Sequence, residues 1–195
     1  VNLVATSDGD LIVGDQFAAR AREQLATAQR SLARQQRGSN RRRRQVDEVV
    51  RLHRKVKNQR MNAAHQLSRR LVNNYDLIVV EDLRIKNMVR KPKARPDPDQ
   101  PGAYLSNGAT AKAGLNRSIH DAGWATLLSQ LIYKAESAGR AVVTVEARYT
   151  SQTCFECGHV EPGNRLSQAV FRCCSCGHEA HADVNAARNI LRAGS

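Results

Sequence analysis

The sequence predicts a mixed α/β chain with a metal-binding insert towards its C-terminal end. Three observations lead there. Leu77-Ile78-Val79-Val80 and Ala141-Val142-Val143-Thr144-Val145 are short apolar runs rich in β-branched residues, and both read as buried strands. The stretches before and between them carry apolar residues at helical spacing. All five cysteines, Cys154, Cys157, Cys173, Cys174 and Cys176, fall in one short stretch.

Taken in order, Asn2 to Ser7 and Leu11 to Val13 read as two strands joined by a turn at Asp8-Gly9. Residues 16–72 hold no proline and a single glycine, Gly38. The segment Arg37-Gly38-Ser39-Asn40 therefore separates two helices, with Ser39 or Asn40 as N-cap of the second. In that second helix Val46, Val49, Val56, Ala63, Leu67 and Leu71 form the packing stripe. Residues 91–101 hold four prolines among charges and read as a loop or linker. Leu115, Ile119, Leu127, Leu128, Leu131 and Ile132 continue one helical pattern that ends near Gly139. Asp183 to Leu191 reads as a closing helix with Asp183 near its start.

Charge is concentrated. The chain has 31 Lys and Arg against 18 acids, a formal net charge of +13. Residues 16–72 alone hold sixteen bases and three acids, so the remainder is close to neutral. Isolated charges on a helix usually mark a solvated face. A run of four arginines within such an excess instead suits a phosphate backbone, where bound cations release counterions. The candidate phosphate-facing residues are Arg41, Arg42, Arg43, Arg44, Arg51, Arg54 and Lys55, with Lys57 and Arg60 beside them. There is no apolar run of about 18 residues and no leader-like start in VNLVATSDGD, so no membrane partner is expected. The expectation is a soluble, unsecreted, cytoplasmic protein.

Cys154-x2-Cys157 and Cys173-x2-Cys176 are separated by 15 residues, a spacing for structural zinc held by four thiolates. Gly158 and Gly177 follow the pairs and allow each knuckle to close. Four thiolates leave no open coordination position. Cys174 in place of Cys173 would leave a less usual CxC pair. His159, His178 and His181 are possible substitutes, read first as surface or phosphate-facing residues. Glu81 and Glu146 follow the two strands, and Asp183 opens the last helix. Carboxylates so placed can hold the metal ions of a nuclease, although acids at strand ends are usually solvated and an Asp at a helix start is usually a cap.

Four segments together resemble the C-terminal half of TnpB, a family of transposon-encoded, RNA-guided DNA nucleases related to type V CRISPR effectors. They are Val80-Glu81-Asp82-Leu83; Asn116-Arg117-Ser118-Ile119-His120-Asp121-Ala122-Gly123-Trp124; Tyr149-Thr150-Ser151-Gln152-Thr153-Cys154-x-x-Cys157-Gly158-His159; and Asp183-Val184-Asn185-Ala186-Ala187-Arg188-Asn189-Ile190-Leu191. The resemblance implies an RNase H-like (RuvC) mixed sheet with helices, in which the basic helical hairpin and the zinc ribbon are inserts. Residues 1–150 would be the RuvC-like domain with the hairpin at 16–72, residues 151–180 a zinc-ribbon insert that binds target nucleic acid, and residues 181–195 the last RuvC segment.

The resemblance further implies magnesium-dependent hydrolysis of target DNA, in a protein associated with transposition, with guide RNA and target DNA as partners. Two magnesium ions would sit on three acids, Glu81 matching the second and Asp183 the third. The first is an Asp in a Gly-(Ile/Val)-Asp-x-Gly segment, and Val1-Asn2-Leu3 resembles the residues just after that segment. That acid and its strand are expected to be missing here, with the guide-gripping N-terminal part of the same protein as a further partner. Asp8, Asp10 and Asp15 are poor replacements, so the isolated chain is expected not to cut. His181 stands where the family often has an acid. By resemblance, Arg148 and Gln152 position the scissile strand, although Arg148 could simply pair with Glu146. The alternatives are a nuclease-dead RNA-guided binder and a zinc-ribbon DNA-binding module without a guide.

Overall fold

Turn chemistry and apolar period place the elements nearly where the sequence predicts them. The computed structural model describes residues 2–146 and 148–195, so Val1 of the Val1-Asn2-Leu3 segment lies outside the described residues. Strands β1 (Asn2–Ala5) and β2 (Leu11–Val13) pair antiparallel around Gly9, whose φ of 103° favours glycine. Helices α1 (Phe17–Arg34) and α2 (Asn40–Asn74) flank Gly38. Ser39 is the cap residue, its Oγ accepting the Arg42 N–H at 3.1 Å. The chain continues through β3 (Leu77–Glu81), the single turn α3 (Ile85–Met88), β4 (Arg95–Pro96), β5 (Tyr104–Leu105), α4 (Ala109–Ala122), α5 (Trp124–Ser137) and β6 (Ala141–Val145). A 3₁₀ turn at Pro162–Asn164, β7 (Val170–Arg172), β8 (Glu179–His181) and α6 (Ala182–Gly194) complete the described elements. The architecture is mixed α/β, and its strands form two-residue to five-residue ladders, β1–β2, β3–β6, β4–β5 and β7–β8.

The chain divides into two compact units. The first comprises the residues up to Gly14, Arg69–Leu83 and Leu131–Ser195. Its centre is the parallel pair β3–β6, in register from Leu77 opposite Ala141 to Glu81 opposite Val145. Helix α6 packs on this pair and also touches β1, β7 and β8. The approach is close at Gly194, where a Cβ would lie 2.5 Å from Val79 Cγ1. Leu71, Val72, Leu131, Ala135, Val184 and Ala186 are buried in this unit, and a second buried cluster joins Cys154, Phe171, Cys173 and Ala182. Both strands of the parallel pair end together, so Glu81 and the start of the cysteine segment leave the same edge.

The second unit comprises Asp15–Ser68 and Arg84–Gln130. It contains the helical hairpin, where Ser31 Oγ donates to Gln45 Oε1 at 3.0 Å. Asp121 accepts the Ala18 and Ala19 N–H groups at 3.0 and 3.2 Å and also pairs with Arg60. It thereby caps α1, whose own N-cap residue Gln16 makes no side-chain cap bond.

The structure departs from the sequence expectation at three places. The apolar pattern from Leu115 to Ile132 is two helices, because Gly123 adopts a left-handed conformation (φ 67°) between α4 and α5. Leu115 and Ile132 consequently stand exposed while Ile119, Leu127 and Leu131 are buried. In α2, Val46 is exposed, whereas Leu52, absent from the expected stripe, is buried with Val56, Leu67 and Leu71. Proline-rich 91–101 is mostly irregular, but Arg95–Pro96 pairs with Tyr104–Leu105.

Candidate functional site

The parallel register of β3 and β6 carries Glu81 to the end of a strand with its side chain half-buried. Thr150, buried just beyond β6, donates its Oγ1–H to Glu81 Oε1 at 3.1 Å. Asp183 lies in the first turn of α6, where the helix dipole favours a carboxylate. Arg165 Nη2 donates to Asp183 Oδ1 at 3.0 Å, and Asn2 Nδ2 donates to Oδ2 at 3.2 Å. Burial pushes the Glu81 carboxyl above the usual carboxylate range. The Thr150 hydroxyl and the Arg165 charge oppose that shift, and the Asp183 charge adds to it. The fold thus brings Glu81, Asp183, Thr150 and Arg165 into one electrostatic neighbourhood. Glu146 is exposed.

His181 has a role that its sequence position hides. Its Nδ1 accepts the Asp183 N–H at 3.2 Å, so it is the N-cap of α6. Thr150, Arg165, Asn2 and three asparagines are participants that sequence reasoning missed. Asn164, Asn185 and Asn189 are all buried. Asn185 accepts the Phe155 N–H at 3.0 Å and donates to Thr153 O at 2.8 Å. Asn189 donates to Thr150 O at 3.0 Å and to Thr153 O at 2.7 Å. Asn164 donates to Gln152 O and accepts the Cys174 N–H, both at 2.9 Å. The Asn185 and Asn189 bonds join α6 to the first cysteine knuckle and to the residue that holds Glu81, and the Asn164 bonds tie the 3₁₀ turn to both cysteine segments. Only the Asp-x-Asn spacing, which sets Asn185 two residues past Asp183, hinted at them.

The four cysteines Cys154, Cys157, Cys173 and Cys176 converge, their sulfurs all within 4.8 Å of one another. Each pair sits on the same turn: Gly158 N–H to Cys154 O at 2.9 Å, and Gly177 N–H to Cys173 O at 3.0 Å. Gly158 and Gly177 both have φ 75°. Sulfur separations of 3.7 Å for Cys154–Cys176 and 3.6 Å for Cys157–Cys173 match the edge of about 3.8 Å of a tetrahedron with zinc–sulfur bonds of about 2.3 Å. The Cys173 thiol is pulled down to about 6, chiefly by the Cys176 N–H. The Cys176 thiol is pushed up to about 12: the His178 N–H works against this, and the Cys157 thiol, burial and the other thiols outweigh it. Four crowded sulfurs that resist sharing negative charge are what a bound dication relieves. Cys174 and His159 are exposed and His178 and His181 half-buried, and all four lie outside the cluster.

The basic face is partly committed elsewhere. Arg42 Nη1 donates to Leu32 O at 2.8 Å and helps close α1, and Arg51 pairs with Glu48 at 2.7 Å. Arg41, Arg43, Arg44, Arg54 and Lys55 are exposed. Arg148 is exposed, with its guanidinium over the Tyr149 ring, and Gln152 is half-buried, with its carbonyl held by Asn164.

Known proteins resemble this chain in sequence and in fold. A family model described as a probable transposase, OrfB_IS605, matches residues 1–91, and one described as the Cas12f1-like TNB domain matches residues 124–190. InsQ of Escherichia coli (strain K12), whose name proposes an RNA-guided DNA endonuclease, is 41% identical over 98% of this chain and 46% of its own length. The chain belongs to the TnpB family. The CRISPR-associated endodeoxyribonuclease Cas12f1 of Sulfoacidibacillus thermotolerans is 56% identical over 33% of this TnpB-family chain and 15% of its own length. A cryo-EM structure of a Cas12f1–sgRNA–target DNA complex superimposes with a TM-score of 0.57 at 18% identity, covering 93% of this chain and 43% of that one. At that identity the likeness is one of fold. The chain spans less than half the length of InsQ. Among the described residues, no helix is long and apolar enough to cross a membrane.

Proposed function

We propose that this chain is the nuclease portion of an RNA-guided DNA endonuclease, in which Glu81 and Asp183 hold divalent cations for phosphodiester hydrolysis. The observation that carries this reading is the meeting of Glu81 and Asp183, far apart in sequence, with Arg165 and Thr150 in one neighbourhood. The donor set fits magnesium: hard carboxylate oxygens, one of them made reluctant to ionise by burial and by its neighbour. Bound there, two magnesium ions supply an activated water and charge stabilisation at the leaving oxygen. Thr150 orients the Glu81 carboxylate by donating to Oε1. Arg165 holds Asp183 and adds a positive charge beside the carboxylates, where a phosphodiester's charge would otherwise be repelled. His181 fixes the start of α6 and so the place of Asp183.

The finer architecture accords with the same reading. Residues 1–150 form an RNase H-like RuvC domain with the basic hairpin at 16–72, residues 151–180 a zinc ribbon, and residues 181–195 the last RuvC segment. Cys154, Cys157, Cys173 and Cys176 hold structural zinc, and the spread of the knuckle-to-α6 hydrogen bonds makes the ribbon a brace for Asp183. Arg41, Arg42, Arg43, Arg44, Arg51, Arg54 and Lys55 carry guide RNA or target DNA by charge, and Arg148 and Gln152 position the scissile strand. The test is to purify the gene product containing this chain with its co-purifying RNA and to challenge it with a plasmid matching that RNA. Cutting in magnesium and none in EDTA supports the reading. Cutting that ignores the RNA match, or proceeds in EDTA, overturns it.

A further inference from the structure

Tyr149 holds a backbone conformation that a bulky residue adopts only at a cost, with φ at 62°. What holds it there is its carbonyl, which accepts the Gln152 N–H at 2.9 Å, the Thr153 N–H at 3.0 Å and the Thr153 hydroxyl at 2.8 Å. A glycine would make the same three bonds without strain; Gly158 and Gly177 hold a similar positive φ, 75°, in the neighbouring turns. The ring is all that a glycine would lack. Yet the ring adds little to the core, since Tyr149 is 50% exposed. Its visible partner is Arg148, whose guanidinium lies 4.9 Å from the ring centroid and donates to the hydroxyl at 3.2 Å. The next residue, Thr150, is the one that holds Glu81.

We propose that Tyr149 is a stacking platform for one unpaired nucleobase, which it seats with Arg148 beside the carboxylate site. This deepens the nuclease reading and rests on it. Sites for single-stranded nucleic acid combine positive charge with exposed aromatic rings, and any base offers a π-face. In a duplex both faces of a base are covered by its neighbours, so the platform selects single strands. The strain at Tyr149 fixes the ring on a short turn, and so fixes the base relative to Glu81.

The test uses the full chain and a short DNA strand carrying 5-iodouracil, at a salt concentration that screens binding by charge alone. Irradiation followed by peptide mass analysis should place the cross-link on Tyr149, and the same strand in a duplex should give little of it. Tyr149→Phe should keep single-strand affinity. Tyr149→Gly should keep its zinc and melt no lower than wild type, yet lose roughly 5- to 150-fold in single-strand affinity, the range expected for one lost stack. Cross-links confined to other residues, or a Tyr149→Gly chain that binds as tightly as wild type, overturn the platform while leaving the nuclease reading intact. A wild-type chain that binds no single strand also overturns the platform, and the nuclease reading is then decided by magnesium-dependent, RNA-matched cutting alone.

Discussion

Arg165, from the segment between the two cysteine knuckles, donates to Asp183 at the start of the last helix over 3.0 Å. The positive charge also reaches Glu81, where it opposes the effect of burial. One arginine therefore holds Asp183 and bears on the Glu81 carboxyl. Arg165→Ala removes the charge that lowers the Glu81 pKa, so that pKa rises. The acid limb of the pH–rate profile for DNA cutting should move to higher pH. Arg165→Lys keeps the charge and should recover part of the shift. A profile unmoved by either change would separate Arg165 from the chemistry.

Glu81 has a pH signature of its own. Its folded-state pKa is raised above the ordinary 4.5, mainly by burial. An acid raised in this way contributes its stability below the unfolded value and loses it as pH rises through the folded value. In the metal-free protein, Glu81→Gln should therefore raise the melting temperature near pH 7, and the gain should vanish below about pH 4.5. Thermal melts at both pH values in EDTA check this. A loss at pH 7 would mean that the ionised carboxylate is stabilised in the fold.

Zinc should be found at one ion per chain by elemental analysis. Cys154→Ser and Cys173→Ser should lose it and the order of the ribbon with it, since a structural site contributes folding free energy directly. Cys174→Ser should keep it, because Cys174 is exposed and outside the four-sulfur cluster.

Asn185 is buried and pairs with both the Phe155 N–H and the Thr153 carbonyl. Asn185→Leu strands both backbone groups and should cost about 1–3 kcal/mol, a drop of roughly 2–4 °C in melting temperature per kcal/mol for a chain of this size. Asn185→Asp keeps the acceptor and loses the donor, so it should fall between the two.

The readable parts of this molecule are those written in short, local codes. The hairpin break at Gly38, the capping Ser39, the two knuckles and the strand before Glu81 each occupy a few adjacent residues, and each forms as the sequence predicts. The choice of Cys173 over Cys174 is legible because a two-residue gap is needed to bring two sulfurs onto one turn. Gly123 is not legible in the same way. A glycine inside a helical pattern ends the helix only when its φ turns positive, which the tertiary structure decides. Arg165 carries no signal at all: it is one base among 31, and only the folding of the segment between the cysteine pairs against α6 gives it Asp183. The asparagine bonds are hidden for the same reason, since a buried amide becomes informative only when its partners are known.

If Glu81 and Asp183 form the cation-dependent cutting centre, losing either acid stops cutting and spares binding. The most direct measurement compares cleavage and binding of guide-matched target DNA, in magnesium, by the gene product containing this chain and by its Glu81→Ala and Asp183→Ala variants. Both variants are expected to bind target as the parent does and to lose cutting by at least about a hundredfold, as for removal of a group acting directly on the transition state. Variants that cut at the parent rate would show that neither acid belongs to the cutting centre.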